Sequence, residues 1–223
     1  KEFDTLSITS ENGFGIVNNG NGQGNSFLYK NTGSIYVIGN NNSNITIQGG
    51  YKNNDEKEAK AAVKNGYYGD LFSKQDYSTY ISGGNITLTG VGYGIWTNKN
   101  QIKIEGTNNS INAILDDRFS DKYDLNAYNY FGIAIYNNSN SLTSPNSKTI
   151  ITAKETNTIH GDKEGIKAET GSVSITGRNN EIFINYDETI VKEALKSDVA
   201  NIDRYGINIS GLSTVININA TTG

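Results

Sequence analysis

Four carboxylates, Asp116, Asp117, Asp121 and Asp124, crowd into residues 116–124 of this 223-residue chain, with Arg118 and Lys122 among them. Oxygen ligands gathered at one point are what a hard cation such as Ca²⁺ requires. Held at a fixed separation, the same carboxylates could act as acid and base on a glycosidic bond. The spacing favours neither chemistry. The stretch lacks the alternating acidic positions and the glycine of a Ca²⁺ loop, and Arg118 and Lys122 neutralise part of its charge. It reads as a solvated loop, and neither a metal nor a cofactor is expected.

The aromatic residues around these carboxylates point to binding instead. Tyr offers flat apolar area with a hydroxyl at its edge, suited to stacking on a sugar ring or docking on a protein surface. Ligand contacts are therefore expected at Tyr67, Tyr68, Tyr77, Trp96, Phe119, Tyr123, Tyr128 and Tyr130, with Asp117 and Arg118 beside them. Trp96 follows Ile95, so if Ile95 points inward, strand alternation turns Trp96 outward. The competing reading is that these rings anchor their own loops. His160 is the one histidine, and alternation after Ile159 turns it towards solvent beside Gly161. No G-x-S-x-G, Walker loop or dinucleotide fingerprint occurs.

Composition limits the frame that positions these residues. The chain has no Cys, so it has neither a disulfide framework nor a thiolate metal site. Its formal net charge is −4 and its 19 basic residues are scattered, which argues against nucleic acid as a partner. No run of about 18 apolar residues is present, so direct membrane insertion of this segment is not expected. The apolar residues are mostly Ile, Val, Tyr and Leu, which suit strands.

A three-part repeat organises them. Gly-Ile recurs in "FGIV" at 14, "YGIW" at 93, "FGIA" at 131, "EGIK" at 164 and "YGIN" at 205, with a degenerate member expected near "YYGDLF". A second segment of alternating apolar residues follows each, as in "SIYVIG" at 34, "QIKIEG" at 101 and "SVSITG" at 172. A third is usually led by Asn, as in "NITIQG" at 44, "NITLTG" at 85 and "NEIFIN" at 180. Three short strands per repeat, each pairing with its counterpart one repeat on, would merge the inward Ile and Val residues into one core. The expected fold is all-β, a right-handed parallel β-helix of about six turns and about 30 Å tall. Gly before Ile supplies a left-handed or closely approached corner, and Asn at another corner can stack its amide on the next repeat's Asn. An antiparallel sandwich is the alternative. Both ends break off within a repeat, so the chain is expected to be a piece of a longer one.

Insertions at 51–66, 116–130 and 186–204 are expected at one corner, where repeat proteins commonly bind. Two predict short helices: Glu56–Lys64 capped by Asn54 or Asp55, and Glu188–Lys196 capped by Asp187 with Ile190, Val191, Ala194 and Leu195 as an apolar stripe.

The "YGI", "SVSITG" and "NNEIFIN" texture, rich in Asn and free of Cys, resembles the passenger domains of bacterial autotransporters over about two thirds of the chain. Within these it is similar to the large adhesins of fusobacteria and Veillonella relatives. The resemblance implies display at the bacterial cell surface, outside the cell, through an outer-membrane barrel absent from this chain. Because protease and esterase motifs are missing, it implies a non-enzymatic segment, expected as a monomer. Its partner would be a host glycan or receptor protein, or a partner bacterium. A polysaccharide-degrading enzyme on the same fold and a passive spacer are the alternatives.

Overall fold

The computed structural model describes residues 3–10, 13–18, 34–50, 61–66, 78–98, 100–114, 132–138, 147–184, 205–209 and 214–221. Every regular element among them is a strand, every strand pairing among them is parallel, and the strands form two sheets. This is consistent with a β-helix, and no helix occurs among the described residues.

The strands fall into three columns, matching the three segments of the sequence repeat. Column one stacks β2 (Ile16–Asn18), β5 (Ala61–Asn65), β8 (Tyr93–Thr97), β10 (Ile133–Asn137), β12 (Glu164–Ala168) and β15 (Tyr205–Ile209). Column two stacks β3 (Ile35–Ile38), β6 (Ser78–Ser82), the first halves of β9 (Gln101–Ala113) and β11 (Lys148–Gly161), then β13 (Gly171–Gly177) and β16 (Thr214–Ala220). Column three stacks β1 (Thr5–Thr9), β4 (Asn44–Gly49), β7 (Asn85–Gly90), the second halves of β9 and β11, and β14 (Asn179–Ile184). β9 and β11 run through the corner between columns two and three without a break, joining those columns into one sheet. A register shift between Ala153 and Thr156 marks an extra residue there in β11.

Each inward slot meets the same slot one level on. Val37, Ile81, Ile104, Ile151, Ile175 and Ile218 form one such ladder, and Ile16, Val63, Ile95, Ile135, Ile166 and Ile207 another. Burial of one such side chain stabilises by about 1.5–3 kcal/mol. The β-branched Ile and Val also suit a pleated surface.

The Gly of the repeat marker meets close backbone. A Cβ on Gly94 would lie 2.7 Å from Ile111 Cγ2 and 2.8 Å from the carbonyl oxygen of Ala134. Of the marker glycines, Gly132 of "FGIA" is left-handed; the other left-handed glycines among the described residues are Gly50, Gly66 and Gly171.

Asn serves the stack through its amide. At the end of column one, buried Asn18, Asn65 and Asn137 donate to the carbonyls of Ser78, Gln101 and Ser172, each one level on. In column three, an inward slot holding Leu6, Ile45 and Ile86 changes to Asn109, Asn157 and Asn180. Asn109 Nδ2 donates to Asn157 Oδ1 and Asn157 Nδ2 to Asn180 Oδ1, both at 2.8 Å. A second ladder, Asn44–Asn85–Asn108, runs along the exposed edge. The one positive-φ non-glycine among the described residues is Asn100, so these ladders rest on amide pairing and not on left-handed backbone.

Three expectations need correction. The degenerate marker is not "YYGDLF" but β5, whose Ala61, Val63 and Lys64 pair with Tyr93, Ile95 and Trp96. Ala62 stands in the glycine slot, and the low apolar contrast of "AAVKN" conceals the strand. The expected 51–66 insertion therefore ends before Ala61, and a helix over Glu56–Lys64 is ruled out across its last turn, because stacking between β2 and β8 overrides helix propensity. In "FGIAIYN" the register lies two residues further on than expected: Ile133 pairs with Tyr93, which puts Ala134 in the glycine slot. The segment 188–196 lies outside the described residues.

The interior Asn ladder makes a direct prediction. Asn157→Ala leaves the acceptors Asn180 Oδ1 and Thr176 O without this donor and should cost roughly 2–4 kcal/mol. Asn108→Ala on the exposed ladder should cost less than about 1 kcal/mol. Urea unfolding of the two variants decides the matter, and equal losses would contradict the distinction.

Candidate functional site

Of the residues expected to contact a ligand, only Trp96 lies among the described residues; Tyr67, Tyr68, Tyr77, Asp117, Arg118, Phe119, Tyr123, Tyr128 and Tyr130 lie outside them. Trp96 does point away from the inner core, as alternation requires, yet it is only 8% exposed. The outer side of column one is a buried aromatic layer. Tyr93 stacks on Tyr136 with ring centres 5.0 Å apart, and Trp96 packs at 5.0 Å from Tyr93 and 6.1 Å from Tyr136. Buried Lys64 sets its Nζ 3.7 Å from the centre of the Trp96 ring and 4.6 Å from that of Phe14, an arrangement that stabilises a desolvated ammonium. Outward direction and solvent exposure are different properties here: Trp96 points outward and is buried.

One level beyond this layer, the outward slot of Tyr93 and Ile133 is taken by Glu164. Glu164 is buried, with Lys163 Nζ at 3.9 Å and Asn208 Nδ2 donating to it at 3.2 Å. Burial pushes its carboxyl above the usual range, against the pull of Lys167, Lys163 and the Asn208 hydrogen bond and with some help from Glu169.

His160 is also not in open solvent. Its ring stacks on Phe183, one level on, at 4.9 Å and 16°, and its Nε2 lies 3.4 Å from Asp162 Oδ1. Stacking of like slots placed Phe183 over it, which alternation within one strand could not reveal.

The exposed chemistry sits on the outer wall of column two. Tyr36 is 66% exposed and Ile38 51%. Tyr80, in the slot paired with Tyr36, meets it edge-on, ring centres 6.3 Å apart at 68°. The Tyr80 hydroxyl donates to Glu105 Oε2 at 2.5 Å, Lys103 Nζ pairs with Glu105 Oε1 at 2.6 Å, and the same ammonium lies 5.3 Å from the Tyr80 ring centre. Burial raises the Glu105 carboxyl, but the hydrogen bonds from Lys103 and Tyr80 outweigh it and hold the group below its ordinary range. The Glu105 hydrogen bond raises both Tyr80 and Lys103. The result is a fixed tyrosine, a neighbouring open one, and a donor–acceptor pair whose charges cancel.

The sequence reading passed over these four residues. The signal was available: Tyr36 and Tyr80 occupy outward slots between inward Ile35 and Val37, and Thr79 and Ile81, in a series continued by Lys103, Ile150, Ser174 and Asn217.

No protein-family model, curated protein or solved structure matches this chain.

Two predictions follow from the burial pattern. Trp96 is the single tryptophan, so its fluorescence reports this layer alone: acrylamide should quench it weakly in the native protein and strongly in urea, and strong native quenching would refute the buried layer. The raised pKa of Glu164 means that the folded state holds this proton more tightly than the unfolded chain does. The stability it contributes is present below the ordinary value of about 4.3 and is lost as pH rises through the folded pKa. The urea midpoint of the wild type, measured relative to Glu164→Gln, should therefore fall as pH rises from about 4.3 to neutrality. Parallel profiles would contradict it.

Proposed function

We propose that this chain is an adhesin segment of an autotransporter passenger, displayed outside the bacterial cell. In this reading it is a right-handed parallel β-helix of about six turns, and it binds a host or partner-cell ligand, glycan or protein, from its outer side. The observation that carries the reading is the pairing of every level with the next in register, together with aromatic exposure on the wall of that stack. In-register stacking makes an elongated object whose length grows by repetition. Its wall holds Tyr36 and Ile38 open to solvent beside an ordered Lys–Glu pair, and exposed aromatics on a polar wall are the usual mark of recognition.

The links between strands differ in length around the stack. Three long links, 50–60, 114–132 and 185–204, join column three to column one, whereas 91–92 and 162–163 make the same connection in two residues. Long links also precede β3, β6 and β11, so they flank column one on both sides. The corner between columns two and three stays tight at every level.

Binding of the purified protein to epithelial and bacterial cells tests the proposal, beside a variant in which 116–130 is replaced by a two-residue link. Saturable binding by the folded protein is expected, with loss in the variant if that loop carries the contact. Absence of binding by protein whose circular dichroism is native would overturn the adhesin reading in favour of a passive spacer.

A further inference from the structure

We infer that the outer wall of column two binds a neutral oligosaccharide, with Tyr36 as the platform for a sugar ring and Lys103 and Glu105 as the partners of sugar hydroxyls. This rests on the adhesin reading and names its ligand class. It assigns the contact to strand residues and not to the loops.

The argument starts from the two tyrosines. Their edge-on packing leaves the Tyr36 ring open on the wall, with exposed Ile38 on the same strand. A pyranose ring presents an apolar C–H face that stacks on such a ring, and hydroxyls around its rim. Those hydroxyls need donors and acceptors close to the stacking face. Glu105 accepts from Tyr80 and Lys103, and a carboxylate has about four lone-pair sites, so it can accept further bonds from hydroxyls. Lys103 has two further N–H groups to donate. Both side chains are about one-third exposed, within reach of a ligand and already fixed in position, which lowers the ordering cost of binding.

Charge and size select the class. Lys103 and Glu105 neutralise each other, so this pair presents no net charge to a polyanion, which would also meet the Glu105 carboxylate. Tyr36 and Lys103 stand two levels apart, roughly 10 Å along the stack. One sugar ring cannot reach both, so the ligand is an oligomer running along the axis. A stable protein partner needs about 800 Å² on each side, far more than this group of side chains supplies.

The test is calorimetric titration of the intact protein with neutral gluco-, galacto- and manno-oligosaccharides of two to six residues, with sialylated and sulfated counterparts beside them. Saturable binding of a neutral series is expected. It should weaken about tenfold in Tyr36→Ala, weaken also in Glu105→Gln, and stay within about threefold in Tyr36→Phe, which keeps the ring. Failure to bind any neutral oligosaccharide at millimolar concentration, equal binding by Tyr36→Ala, or preference for the anionic series would each overturn the inference. Cell binding that persists in Tyr36→Ala would leave the adhesin reading standing and move its contact elsewhere.

Discussion

Each residue of this stack lies against the residue in the same slot one level on, held there by parallel backbone pairing such as Thr46 on Thr87 and Ile104 on Ile151. Neighbouring strands are about 4.8 Å apart, so whatever occupies a slot must tolerate a copy, or a close substitute, immediately above and below. Apolar slots meet the condition by dispersion and exclusion of water. Polar inward slots meet it only if the neighbour completes their hydrogen bonds, because a buried amide without partners costs about 1–3 kcal/mol. The interior Asn109–Asn157–Asn180 ladder solves this by passing each amide to the next. Its one orphan is Asn109 Oδ1, and the reason is local: the slot on its other side is Ile86, which has no donor.

The same constraint explains why the three columns differ outside. Column two has tight connections on one side and presents its outer residues to solvent. Column one is buried on both sides through β5, β8 and β10, so its outward slots obey core rules: rings stack on rings, and the Lys64 ammonium lies over the faces of Trp96 and Phe14. Where that aromatic series reaches Glu164, a carboxyl takes the slot, and its affinity for a proton rises for the same reason of burial. The two walls thus treat ionisable groups in opposite ways. Glu105, served by two donors at the surface, is held in its charged form; Glu164, in the layer, is pushed towards the neutral one.

How far the sequence disclosed this follows from which rules act within a strand and which act between levels. The three segments, their order and their inward Ile and Val were legible, because alternation is a property of one strand. The second marker was not, since "AAVKN" has helix-forming residues and little apolar contrast, and only its neighbours β2 and β8 make it a strand. Trp96 was correctly turned outward and wrongly exposed, because what lies outside a strand is not encoded in that strand. His160 was misjudged for the same reason, its cover being Phe183 from the next level. Tyr36 and Tyr80 stand in outward strand slots, away from the inter-strand segments, where aromatic density in the sequence is higher.

Inward and outward slots also carry different information. An inward residue is fixed by the stack, so Ile at 104, 151 and 175 says only that the levels pack. An outward slot on the wall of column two is under no such demand, and residues as different as Tyr36, Lys103, Ile150 and Ser174 follow one another in it. An exposed Tyr there buries little apolar surface and so gains little of the roughly 25 cal/mol per Å² that burial contributes. Ile38, half exposed beside it, forgoes much of the same gain. The stack gives no reason for either residue, whereas the Tyr80–Glu105–Lys103 network spends two hydrogen-bonding side chains on holding their surroundings in one arrangement. In the proposed reading, such residues, set in an ordered neighbourhood, are accounted for by a ligand that meets them from outside.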